Sequence, residues 1–208
     1  MIDLVCLVAD KNMQAGIDGI LRRPQALGIR EIQFETIVHP RHDPGCFHEA
    51  SELLAGYRGQ ATNALIVLDL AWDGAPATAG DQMEEQLESS LATAGLAAWA
   101  RAVVIDPELE VWIFSDSPHV ETALGWRHDM GSLRAVLARQ GLWPADRAKP
   151  QDPKAAFEWV LRKARKPRSS SIYRELSRSV SLERCSDRSF LRLKGLLLGW
   201  FGSASPER

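Results

Sequence analysis

Six acidic residues stand just where apolar runs end. Asp10 follows residues 2–9, Asp69 and Asp73 follow Ala64-Leu-Ile-Val-Leu, and Asp106, Glu108 and Glu110 follow 102–105. Carboxylates brought to one sheet edge repel one another and favour a hard divalent cation, because Mg²⁺ takes oxygen ligands. One or two such ions can clamp the attacking and leaving oxygens of a phosphoryl transfer. A single Asp after a strand more often caps a helix or solvates a loop, so the inference rests on the joint pattern.

Three further constellations bear on chemistry. In Glu110-Val-Trp112-Ile-Phe-Ser-Asp116 a carboxylate enters an apolar segment, and on a helix it shares a face with Phe114. Burying it unpaired is expensive, so a metal or an arginine must compensate. Arg162, Lys163, Arg165, Lys166 and Arg168 put five cations in seven residues beside a serine run. Such a run can track a phosphate backbone, or it can be a solvated helix end favoured by the helix dipole. His39, His42, Cys46 and His48 lack the spacing of a closed zinc site. Neither a Gly-rich phosphate loop nor a GxSxG elbow occurs.

The elements that must position these residues follow from periodicity. Strands are expected at 2–9, 31–38, over the run 64–69 and at 102–105, the second of them half-buried or at an edge. Helices are expected at about 13–23, capped by Asn12, at 47–57 and at 81–94. Pro24 stops or kinks the first helix, Gly28 ends any turn beyond it, and 39–45 and 74–80 read as loops. Alternating strands and helices imply right-handed crossovers and a mostly parallel sheet. From Pro107 the chain turns helical, near 109–114, 118–125, 131–140, 153–165, 171–179 and 187–201. The last helix carries a packing stripe of Phe190, Leu193, Leu197 and Trp200. Residues 203–208 read as a frayed end. The expected fold is therefore α/β: a Rossmann-like, four-stranded, mostly parallel sheet flanked by helices over 1–116, with a helical C-terminal region over 117–208 packed on it.

Composition narrows the classes. With 208 residues and 45% hydrophobic content the chain can bury a core. No apolar run reaches the roughly 18 residues of a membrane span, and the N-terminus lacks a basic n-region. Three scattered cysteines fit reduced thiols in the cytoplasm. Net charge is −2, unevenly spread: residues 151–208 hold 13 Lys and Arg against 6 Asp and Glu, and residues 1–150 hold 12 against 21. That asymmetry points to nucleic acid or an acidic partner, or to a basic face docked on the acidic body.

The order of apolar strand, acids at Asp69 and Asp73, and Pro107-Glu-Leu-Glu110-Val-Trp112-Ile-Phe-Ser-Asp116 resembles small TOPRIM-fold proteins. These are relatives of the RloB and OLD-type nucleases of prokaryotic anti-phage defence operons, often beside an ATPase. Asp152-Pro-Lys-Ala-Ala, Ile172-Tyr-Arg-Glu-Leu and Ser186-Asp-Arg-Ser189-Phe190 extend the likeness over most of the chain. The resemblance implies a Mg²⁺-dependent (or Mn²⁺-dependent) nuclease acting on nucleic acid. Asp69, Asp73 and Glu110 would then bind metal, Asp10, Asp69 and Glu110 would form the catalytic set, and Arg162, Lys163, Arg165, Lys166 and Arg168 would steer nucleic acid. The family's strand-one glutamate falls on Ala9, with Asp10 one place late, and the second acid of its DxD falls on Ala71. A degenerate, non-catalytic scaffold binding a partner ATPase is the alternative. A receiver-type phosphoacceptor at Asp69 is the third reading, although no fifth strand with a Lys is evident.

Overall fold

In the computed structural model, which describes residues 1–115, 117–127 and 130–202, the four apolar runs become four parallel strands. The expectations for Asp116 and for 203–208 lie outside the described residues. The strands are β1 (Ile2–Val8), β2 (Phe34–Val38), β3 (Ala61–Asp69) and β4 (Ala100–Ile105), in the order β2-β1-β3-β4. Side chains of Leu65, Ile66, Val67 and Leu68 are fully buried, as suits a strand covered on both faces. Burying each stabilises the fold by roughly 1.5–3 kcal/mol. The register pairs Val8 with Val67 and Asp69 with Ile105, so the carboxyl ends of β1, β3 and β4 finish level.

β2 is an edge strand and begins at Phe34, three residues later than its alternation suggests. The Gln33 N–H bonds the Asp3 carboxylate, and Arg30 pairs with the same group, which diverts this backbone from the ladder. Helices α1 (Lys11–Leu21) and α2 (Pro24–Leu27) follow β1, and Gly28 closes α2 in the left-handed region at φ 74°. The cap of α1 is Asp10, not Asn12: its Oδ1 accepts the Asn12 and Met13 N–H groups, each at 2.8 Å. The single helix expected at 47–57 is two, α3 (His42–His48) and α4 (Ala50–Ala55). Helix α3 starts inside the presumed loop because Pro44 is tolerated in a first helical turn. Gly45 matters there as well: a Cβ would lie 1.9 Å from the buried His39 ring.

Helix α5 (Gly80–Thr93) buries Met83, Leu87 and Leu91. The C-terminal elements are α6 (Glu110–Ile113), α7 (Pro118–Leu124), α8 (Leu133–Arg139), α9 (Pro153–Ala164), α10 (Ser170–Ser179) and α11 (Arg188–Phe201). Helix α10 packs on α1, where Gly19 lets the Ser177 side chain lie where a Cβ would stand. Helix α11 lies against β4 and buries Phe190, Leu193 and Leu197. Glu84, buried on α5, accepts the Val104 N–H and pairs with Arg188 at 2.5 Å and Arg192 at 3.2 Å. Arg192 also reaches Glu88 at 2.6 Å. The basic C-terminal region thus docks part of its charge on the acidic body. Among the described residues no helix is long and apolar enough to cross a membrane.

Candidate functional site

The level strand ends build a small polar pocket of about 100 Å³. Asp10 enters from the turn after β1, Asp69 from the last residue of β3, and Glu108 and Glu110 from the segment after β4. A fifth acid, Asp43, arrives from the first turn of α3. Lys154 and Arg168 complete the charged lining, and Ala9 and Ala71 stand among the acids. Asp73 and Asp106 are exposed and are not part of this lining. The expected metal ligand Asp73 is therefore replaced spatially by Asp43. Trp72 packs near Phe47 and His48 while Gly74 turns at φ 83°, and Asp73 sits on the outside of that bend.

Each acid already has work inside the protein. Asp10 caps α1 through Oδ1. Asp43 Oδ1 accepts the Asp69 N–H at 2.8 Å, and Asp69 Oδ1 accepts the Leu109 N–H at 2.9 Å. The Pro107 carbonyl accepts both Leu70 and Ala71 N–H groups, which ties the ends of β3 and β4 together. Glu108 pairs with Lys154 at 2.9 Å. Glu110, 2% exposed, accepts from Arg168 at 2.9 Å and from the Tyr173 hydroxyl at 2.6 Å. The compensation expected for this buried carboxylate is an arginine and a phenol.

The electrostatics follow from this crowding. Burial, then the carboxylates of Asp43, Glu110, Glu108 and Asp10, push Asp69 well above the ordinary carboxyl range. Burial also raises Asp43, against the Asp69 N–H it accepts, and raises Glu108, against Lys154. The Tyr173 hydroxyl is pushed up by burial and then by Glu110, so it remains a donor. Strong perturbation in a cleft is the signature of a functional site, although paired structural networks produce it too.

A divalent cation needs several oxygen ligands converging on one point. Among the described residues no group of three or more His, Cys, Asp or Glu side chains is arranged to hold a metal ion. Glu110 and Glu108 are turned onto cations and Asp10, Asp43 and Asp69 onto backbone N–H groups, each through one oxygen, so as arranged no three of them converge on a Mg²⁺ or Mn²⁺ ion.

The basic run does not form one stripe. Arg162 lies 3.9 Å from Glu158, Lys163 sits over the Trp159 ring, and Arg165 ends α9 in the left-handed region at φ 53°. Lys166 donates to the Ala123 carbonyl, and Arg168 turns into the acidic pocket. His39, His42, Cys46 and His48 likewise serve separate local contacts: His39 accepts the Arg41 N–H, and His42 bonds the Ala9 carbonyl. Sequence reasoning missed Asp43, Lys154 and Tyr173; Lys154 stood inside a quoted motif, whereas nothing local marked Asp43. Compared with known proteins, the chain matches no family model, and no curated protein or solved structure proved similar to it.

Proposed function

We propose that this chain is a TOPRIM-like subunit of a prokaryotic defence system that binds a partner protein, an ATPase, and does not itself cut nucleic acid. The observation that carries the non-catalytic part is the engagement of Glu110. Its buried Oε1 holds Arg168 and Tyr173 as a structural counter-ion, and turning that oxygen onto a metal would strand both partners. Ala9 and Ala71 support the same reading, since both line the pocket at places where the resembled family carries acids. The dispersal of the basic run argues in the same direction. The defence setting and the ATPase partner rest on the resemblance alone.

The raised Asp69 carboxyl favours the competing reading, a Mg²⁺-dependent nuclease, because a cation would relieve its crowding. Incubating plasmid DNA and tRNA with wild type and Asp69→Ala, in Mg²⁺ and in Mn²⁺, separates the two. Equal background cleavage by both proteins is expected, together with co-purification of an ATPase encoded beside the gene. Metal-dependent cleavage that Asp69→Ala abolishes would overturn the scaffold reading.

A further inference from the structure

At the other end of α6 from Glu110 lies a cavity of about 660 Å³ whose chemistry is the reverse of the acidic pocket. Two cations, Lys149 and Arg184, line it beside a third, Arg134. Lys149 is half-buried and donates to the Phe114 carbonyl, a neutral acceptor. No carboxylate among the described residues forms an ion pair with Lys149 or Arg184. Burial holds the Lys149 amine below its ordinary value, against the more distant influence of Cys185 and Asp187.

Serines from three segments surround the same space: Ser115, Ser117, Ser132 and Ser186. The Ser115 Oγ itself is turned away from this space, being buried and without a hydrogen-bond partner among the described residues. Arg134 also reaches the wall, stacked 4.0 Å over Trp143 and donating to the Pro144 and Arg147 carbonyls. The acid of the described wall, Glu121, is engaged by the Leu133 N–H.

A partly desolvated ammonium that pairs with no acid of the described residues is costly, and an anionic ligand in the cleft relieves it. The ligand must be anionic and must accept several hydrogen bonds from different directions. Phosphate meets both conditions, taking a lysine as a point charge and an arginine as a fork. We propose that this cleft binds a phosphate-bearing ligand, held by Lys149 and Arg184 and hydrogen-bonded by the surrounding serines. The phosphate is that of a free nucleotide or of a nucleic-acid end, and the inference is independent of the scaffold reading.

Calorimetric titration of the full chain with inorganic phosphate, AMP, adenosine, and a short oligonucleotide with and without its 5′-phosphate tests the proposal. Binding of a phosphate-bearing probe over its phosphate-free counterpart is expected. Tighter binding of AMP identifies a nucleotide, and tighter binding of the 5′-phosphorylated oligonucleotide identifies a nucleic-acid end. Lys149→Met and Arg184→Ala should each weaken binding about tenfold or more, the scale of one lost charge-assisted contact. Arg184 is exposed, so Arg184→Ala remains decisive if Lys149→Met does not fold. No binding of any phosphate-bearing probe at roughly 10 mM, weaker than ordinary millimolar recognition, would overturn the proposal. Binding indifferent to Arg184→Ala would overturn it equally.

Discussion

The two ends of α6 treat charge in opposite ways. At Glu110 a crowd of acids is answered from within, by Arg168, Lys154, Tyr173 and backbone N–H groups. Four residues on, past Phe114, four serines and the cations Lys149, Arg184 and Arg134 line a larger space, and no acid of the described residues pairs with Lys149 or Arg184. The contrast teaches that density of charge along a sequence is a poor guide to a binding site. The acidic strand ends are conspicuous in sequence and largely satisfied in space. Lys149 and Arg184 belong to no dense charged run, and neither pairs with an acid of the described residues.

The sharpest way to break this comparison is to remove the centre of the paired side. Glu110→Ala leaves the Tyr173 hydroxyl buried and Arg168 without its acceptor. It should cost about 2–4 kcal/mol, discounted because Arg168 is 35% exposed. Urea denaturation reads it directly, and a loss under about 1 kcal/mol would show that the pairing is incidental. Lys149→Met, on the other side, should be neutral or stabilising in the same assay, since it removes a partly desolvated charge that pairs with no acid of the described residues.

A smaller effect is expected at Asp69, where the sign is opposite to that of a salt-bridged acid. Its folded value lies above the ordinary 3.8, so its contribution is intact below that value and is lost as pH rises through the folded value. Asp69→Asn keeps an Oδ1 for the Leu109 N–H and never ionises. Its melting temperature should exceed wild type at neutral pH, with the gap closing as pH falls toward 3.8. A gap that is constant with pH would mean that Asp69 is not strained by its neighbours. The smallest effect belongs to Lys154→Met. The Lys154 side chain is 45% exposed, so breaking its pair with Glu108 should cost no more than about 1 kcal/mol in urea.

The sheet was legible because its cause is local. Runs such as Leu65 to Leu68 can be satisfied by little other than a strand covered on both faces, and Gly28 and the Met83, Leu87 and Leu91 spacing announce their helices. The six C-terminal helices also fall where periodicity places them, to within a few residues. What escaped was fixed by tertiary contact. Asp43 reaches the pocket because α3 starts early, at a His42 with φ 52°, and packs Gly45 against His39. A stretch of turn formers gives no sign of that. The need of Glu110 for a partner could be read from its neighbours. That the partner is Arg168, 58 residues on and itself part of a basic run, could not.

The covering of β4 by α11 and of α1 by α10 has a consequence for synthesis. The four strands of the described residues are made before residue 106, yet α10, which covers α1, and α11, which covers β4, are made after residue 169. While the chain emerges from the ribosome, the β4 face lies open and Glu84 waits without Arg188 and Arg192. An unfinished sheet of this kind is sticky, and the β4 face closes only when α11 arrives. Shortening the chain from its C-terminal side therefore removes the lid of the sheet before it removes any strand.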